Sequence, residues 1–172
     1  MPAKSETGKD VLKENTFTPR IWKDTPGNIS PPLCQGKIYP LRYRLLDVDT
    51  AMVKNLLIKQ GREPGKINTD TILIEIPFPD GSWESFSISQ VQVMAPELAA
   101  KYPYLKTYSG NSKLYPADQI RIEATPDGLR VMVLSVKGTV LIDPFCDNDK
   151  VHMISYLKRD MPEGAKEEFE KK

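Results

Sequence analysis

Residues 119–145, QIRIEATPDGLRVMVLSVKGTVLIDPF, decide the fold that this sequence predicts. Apolar and polar side chains alternate over residues 119–124, and the alternation resumes after the turn sequence PDG, over residues 129–136. A second turn, KG, leads into a third run at residues 139–145. Alternation with a period of two, interrupted by glycine-containing turns, is typical of antiparallel hairpins. This stretch therefore predicts a β meander.

The pattern continues on both sides of that meander. Residues 71–78 and 82–93 alternate around another PDG turn, which predicts a further hairpin. Residues 151–157 predict a final strand. Residues 37–48 also have a strand pattern, and Pro40, which has no N–H to donate, indicates that this strand lies near a sheet edge.

Two short helices complete the predicted architecture. Asp49 or Thr50 provides an N-cap for the apolar stripe in TAMVKNLLIKQ, and Gly61 provides a natural end. The second helix, MAPELAAKYP, leads into an extended segment that ends in a polar turn with Gly110 as its turn glycine. The fold class is therefore α+β, mainly an antiparallel β meander of hairpins with two short helices.

The length of 172 residues is that of one domain. Residues 1–30 are mostly polar and predict a flexible N-terminal tail, in which Ile21 and Trp22 are candidate anchors. Residues 31–160 form the predicted β-rich domain, and residues 161–172 form a charged C-terminal tail.

The charge balance argues against strongly electrostatic partners. Lysine and arginine number 24 and aspartate and glutamate 23, so the formal net charge is +1. Such a chain has no global field to hold nucleic acid or a lipid surface. No segment approaches the roughly 18 apolar residues that a membrane helix needs. No signal peptide is visible at the N-terminus, so we expect either a cytoplasmic chain or a fragment that lacks its export signal.

The sequence carries no recognisable catalytic motif, so we expect a protein that is not an enzyme. His152 is the one histidine, which excludes the HExxH zinc motif, and its alternating context favours a structural position in a strand. Asp47, Asp49 and Asp143 are scattered over turns and strand ends. Caps and turn hydrogen bonds are favoured there over an acid–base pair.

The stretch VQVMAPELAAKYPYLKTYSGNS, residues 91–112, resembles the signature of the N-terminal propeptide domain of bacterial secreted reprolysin-like zinc metalloproteases. Other blocks of that family are similar to segments of this chain and occur in the family's order: YRLLDVDTAMVKNLL, IEIPFPDGSWESFSI, IRIEATPDGLRVMVLS followed by GTVLIDPF, and ISYLKRD. Trp22 also falls where these propeptides often have a tryptophan. Within the signature, we expect Leu98 and Tyr102, with Met94 and Leu105, to be core residues rather than a site.

The resemblance implies a domain that assists folding of a secreted zinc metalloprotease and keeps it latent. The implied partner is the reprolysin-like catalytic domain, in cis or in trans, and zinc would belong to that domain rather than to this chain. The implied location is secreted or in the cell envelope, as part of a full precursor. The alternative is a stand-alone β-rich binding or adhesion module without a protease partner, which predicts an exposed apolar or aromatic patch.

Cys34 and Cys146 are the candidate zinc-blocking thiols that the resemblance raises. Some prosegments place a cysteine thiolate on the catalytic zinc and so displace the attacking water. Cys146 is the better candidate of the two because it lies nearer the expected protease. Their contexts, PPLCQG and DPFCDN, do not match known cysteine-switch motifs closely, and a buried or free thiol is favoured. The sequence leaves open whether the two cysteines pair.

Overall fold

The computed structural model describes residues 20–27, 32–58, 67 and 70–163, and the strands in that part of the chain form one antiparallel sheet. The strands are β1 Trp22–Asp24, β2 Arg44–Val48, β3 Ile72–Pro77, β4 Trp83–Val91, β5 Lys106–Ser112, β6 Gln119–Thr125, β7 Gly128–Ser135, β8 Gly138–Pro144 and β9 His152–Leu157. The helical elements are α1 Thr50–Val53, a π-helical turn Lys54–Ile58 that continues it, α2 Pro96–Lys101, and a 3-10 turn Lys158–Asp160.

The sheet follows chain order from β3 to β9 as a meander of hairpins. The last strand, β9, pairs with β2, and β2 pairs with β1, so the two N-terminal strands extend the sheet beyond β9. The predicted hairpins and meander are confirmed. The predicted α+β class is confirmed in a coarser sense, since the fold is dominated by antiparallel β-structure and carries two short helices.

The sheet curls until its two sides approach each other. Ser155 of β9 donates its hydroxyl to the carbonyl oxygen of Pro77 in β3, with an O···O distance of 2.8 Å. Arg44 of β2 donates to the carbonyl oxygens of Phe78 and Ser82, at 2.9 and 3.1 Å. Because β3 stands at the opposite edge from β1 and β2 in the strand order, these contacts nearly close the sheet on itself.

Side chains, rather than a strand ladder, hold this seam. The ring centroid of Trp83 lies 4.1 Å from the guanidinium carbon of Arg20 and 4.8 Å from that of Arg44. Arg44 also forms a bidentate pair with Asp24 at 2.6 and 2.9 Å, and this hydrogen-bonded partner lowers the pKa of Asp24. Arg20 pairs with Glu75 at 2.6 Å. The planar guanidinium suits both the stacking and the paired hydrogen bonds.

The interior of the curled sheet is a single apolar core. Strand alternation supplies it, as in β6, where every second residue from Ile120 to Ala124 is buried. The π-helical turn closes the core through Leu57, which is fully buried. The hydroxyl of Tyr108 in β5 donates to the carbonyl oxygen of Leu57 at 2.6 Å, and burial raises the pKa of Tyr108 to about 12.

A second, smaller cluster is built around Phe145 and Tyr156, against which Cys34 and Tyr39 pack. The hydroxyl of Tyr39 donates to the carbonyl oxygen of Phe145 at 2.9 Å. The hydroxyl of Tyr156 donates to Asp143 at 2.7 Å, and burial, followed by the charge of Asp143, raises the pKa of Tyr156. This cluster fastens the segment of residues 32–40 to the sheet.

Two predicted boundaries are wrong. The strand expected over residues 37–48 begins only at Arg44, after the proline that interrupts it. The tail expected over residues 1–30 is too long, because Ile21 and Trp22 are buried in the core and β1 belongs to the sheet. Their role as anchors is confirmed. Residues 1–19 and most of the C-terminal tail lie outside the described residues.

The first helix begins as predicted and then departs from the prediction. Asp49 is its N-cap and accepts from the backbone N–H of Met52 at 2.9 Å. After Val53 the chain takes a π-helical turn that reaches Ile58. The predicted stop at Gly61 lies outside the described residues.

Gly110 lies inside β5 rather than in a turn. Its partners across the sheet are Ile88 of β4 and Ile120 of β6. A Cβ atom at this position would lie 1.9 Å from the carbonyl oxygen of Ser87. The backbones of β4 and β5 therefore approach more closely here than any side chain allows, which is a reason for glycine in a strand.

Candidate functional site

The signature segment, residues 91–112, contains the end of β4, helix α2 and strand β5. Pro96 stands in the first turn of α2, where its missing N–H costs no helical hydrogen bond. The N–H of Tyr102 donates to the carbonyl oxygen of Leu98 at 3.1 Å and ends the helix. A groove of about 230 Å³ lies between the helix and the strand ends, and its apolar lining includes Ile67, Val91, Val93, Met94, Ala99, Tyr102 and Leu105.

Helix α2 buries none of its six residues. The prediction that Leu98 and Tyr102 belong to the core is wrong, because their exposed fractions are 46% and 37%. The rings of Tyr102 and Tyr104 meet edge to face with centroids 6.1 Å apart, and the ammonium of Lys101 lies 5.6 Å from the Tyr102 centroid. The α2 part of the signature therefore forms an exposed apolar surface with an aromatic pair, and of the four residues expected in the core Met94 and Leu105 are half-buried.

A larger cavity of about 360 Å³ opens beside α1. It lies between the α1–π-helical segment, the β6–β7 turn and the loop before β9. Its wall is mainly apolar, and Lys54, Asp149 and Lys150 are its charged members. Lys150 pairs with Asp127 at 3.0 Å. Its size falls within the range of small-molecule pockets, and it could equally receive one large apolar side chain of a partner.

Cys34 and Cys146 form a disulfide bond with a Cα–Cα distance of 5.8 Å. This distance is normal for a disulfide, so the structure answers the question of pairing that the sequence left open. A disulfide offers no thiolate, so neither cysteine is available to bind zinc while the bond is intact. The bond joins the segment of residues 32–40 to the β8–β9 loop, beside Phe145.

His152 lies in β9, as expected, and faces two carboxylates. Its Nδ1 is 2.7 Å from Asp149 and its Nε2 is 4.0 Å from Asp47. Burial works against ionisation of Asp149, yet hydrogen bonds from the backbone N–H groups of His152 and Val151 lower its pKa overall. The three side chains join the β8–β9 loop to β9 and β2. The three side chains are half-buried, and their contacts hold these elements together.

The remaining candidate carboxylates also make structural contacts. Asp47 accepts from the hydroxyl of Thr25 at 2.6 Å, Asp49 caps α1, and Asp143 accepts from Tyr156. Within residues 20–27, 32–58, 67 and 70–163, no three His, Cys, Asp or Glu side chains are grouped so that they could hold a metal ion. In the same part of the chain, no helix has the length and apolar character to cross a membrane.

No sequence pattern indicates either the cavity beside α1 or the exposure of α2. Alternation of apolar and polar residues locates strands, but it does not predict which helix face packs against another element. Comparison of the chain with models of protein families, with curated proteins and with solved structures finds no match.

Proposed function

We propose that this chain is a propeptide-like domain, non-catalytic itself, that assists folding and maintains latency of a secreted zinc metalloprotease. The observation that carries the proposal is that the blocks resembling the propeptide family form one folded unit. The Trp22 block, the β3–β4 hairpin, the signature segment and the β6–β8 meander all belong to the same sheet. The blocks that follow one another along the chain are therefore also parts of one continuous sheet.

Two structural features support a domain that acts by contact in an oxidising compartment. Apolar side chains remain exposed at the ends of the sheet, among them Leu98, Val136 and Leu114, and exposed apolar patches are typical of protein interfaces. The Cys34–Cys146 disulfide suits a secreted or envelope protein, because disulfides persist mainly in oxidising compartments.

Inhibition and refolding assays test this proposal. Catalytic domains of bacterial reprolysin-like proteases are purified separately, and their cleavage of a fluorogenic peptide is measured with increasing amounts of the chain. We expect inhibition of at least one of them at equimolar doses and a higher yield when that domain refolds in the presence of the chain. A zinc protease of another family serves as the control and should be unaffected. Unchanged activity and refolding across the panel would contradict the proposal.

The cavity beside α1 favours a second candidate function, a stand-alone binding module. Its volume of about 360 Å³ and its apolar wall suit a small apolar ligand or a peptide side chain. This candidate predicts binding without any effect on a protease. A fluorescent apolar probe titrated against the chain separates the two, because saturable binding without protease inhibition supports only the module.

A further inference from the structure

The two ends of the curled sheet differ in what they expose. One end carries the β3–β4, β5–β6 and β7–β8 turns and the point where the chain leaves β9, because the strands alternate in direction. Among the described residues, the three most exposed large apolar side chains lie at this end: Val136 at 87%, Leu41 at 78% and Leu114 at 70%. Such exposure is costly in water and is a mark of contact surfaces.

The β5–β6 and β7–β8 turns lie close together in space. The ammonium of Lys137 lies 5.9 Å from the ring centroid of Tyr115, which joins the β7–β8 turn to the β5–β6 turn. The N–H of Val136 donates to the buried carboxylate of Asp118 at 3.4 Å. We call the apolar group Leu114, Tyr115, Leu134 and Val136 the exit-end surface.

The chain leaves the sheet beside this surface. Leu157, the last residue of β9, has a side-chain atom 3.6 Å from the position that a Cβ would take on Gly138, just after the β7–β8 turn. The 3-10 turn Lys158–Asp160 follows directly. Leu41 donates its N–H to the carbonyl oxygen of Asp160 at 2.8 Å, so Leu41 lies at the margin of the same end.

Cations surround the exit-end surface. Lys113, Lys137, Lys158 and Arg159 are exposed at this end. Asp118 and Asp160 are buried, and Asp160 pairs with Arg42 at 2.9 Å. The exposed acidic residues at this end are Asp24, which is paired with Arg44, Asp80 in the β3–β4 turn and Glu163 beyond the 3-10 turn. The rim is therefore cationic, and it complements an acidic rim on a partner.

We propose that the exit-end surface is the face of this domain that contacts the protease catalytic domain, through an apolar patch with an acidic rim on that partner. The inference rests on the proposed function. The described part of the chain ends at Glu163, beside this surface, so a catalytic domain tethered there would meet the exit-end surface at a high effective concentration. At the opposite end, which contains the groove at α2, the acidic Glu97 lies among the basic Lys101 and Lys106. That end therefore has no cationic rim that would complement an acidic rim on the partner.

Paired substitutions at the two ends test this inference. Val136→Asp replaces the most exposed apolar side chain of the exit-end surface with a negative charge, which an acidic rim on the partner would repel. Val93→Asp makes the same change at the opposite end, where the exposed fraction of Val93 is 56%. The readout is the inhibition constant for whichever reprolysin-like catalytic domain the wild-type chain inhibits. We expect Val136→Asp to raise that constant at least about tenfold, as for a central interface residue. Val93→Asp should change it less than about twofold.

A second variant and a folding control complete the design. Leu114→Ala should weaken inhibition in the same direction, and circular dichroism with thermal unfolding verifies that each variant is folded, as expected for exposed sites. If the wild-type chain inhibits a protease and neither Val136→Asp nor Leu114→Ala weakens that inhibition, the exit-end surface is not the contact face, while the proposed function stands. A wild-type chain that inhibits no member of the panel would overturn both.

Discussion

Removal of the Cys34–Cys146 bond should destabilise the domain strongly. The two cysteines are 112 residues apart in the sequence, so the bond constrains most of the unfolded chain. The loop-entropy relation gives about 4.8 kcal/mol at 25 °C for a loop of that length, and removal of native disulfides costs roughly 2–5 kcal/mol. We therefore expect the double variant Cys34→Ser/Cys146→Ser to lose about 3–5 kcal/mol in free energy of unfolding. With a slope near 2 kcal/mol per molar urea, the midpoint falls by about 2 M.

Urea denaturation followed by tryptophan fluorescence measures this loss, because Trp22 is fully buried in the folded core. Wild-type protein is compared in the absence and presence of a reductant, and the double variant is the matched control that a reductant should not affect. Equal urea midpoints for oxidised and reduced wild-type protein would show that the bond does not stabilise the domain. Detection of two free thiols in denatured, unreduced protein would refute the bond itself.

Three further predictions concern single substitutions. Gly110→Ala should destabilise by about 3 kcal/mol, because the new methyl meets the carbonyl oxygen of Ser87, and thermal unfolding should occur roughly 10 °C lower; an unchanged melting temperature would contradict the close strand approach. Tyr108→Phe should cost about 1–2 kcal/mol, measured by urea denaturation, because it leaves the buried carbonyl oxygen of Leu57 without its donor; a neutral effect would argue against that hydrogen bond. The folded-state pKa of Asp149 lies below 3.8, so its ionised form contributes stability that is complete above that pH and is lost as the pH falls through the folded pKa. Asp149→Asn should therefore reduce the fall in urea midpoint on acidification below about pH 4, and an identical pH profile would exclude this contribution.

Local sequence patterns predicted the hairpins well because their information is contained within a few residues. The PDG and KG turns and the alternation around them locate β3, β4, β6, β7 and β8 to within about two residues. Asp49 was recognisable as a cap because an N-cap acts on backbone groups only three residues away. The position of His152 in a strand followed from the same short-range alternation.

Predictions that depended on distant partners were less successful. Leu98 and Tyr102 have the spacing of a core-facing helix, but within the described part of the chain both side chains remain exposed. Gly110 follows a polar sequence typical of a turn, yet it occupies the point where β4 and β5 approach most closely. The spacing of apolar residues indicates which face of a helix or strand is suited to burial, whereas actual burial depends on which other elements pack against that face.

The strands, their turns and the near-neutral charge can be predicted from the sequence alone, because propensity and alternation act over a few neighbouring residues. The pairing of β2 with β9, the meeting of Cys34 with Cys146 and the position of Val136, Leu41 and Leu114 at the end where the chain leaves the sheet become visible only in the folded structure. These contacts join residues that are far apart in sequence, and the curl of the sheet brings them together. The same long-range geometry separates the exit-end surface from the signature segment, and it is this separation that the paired substitutions measure.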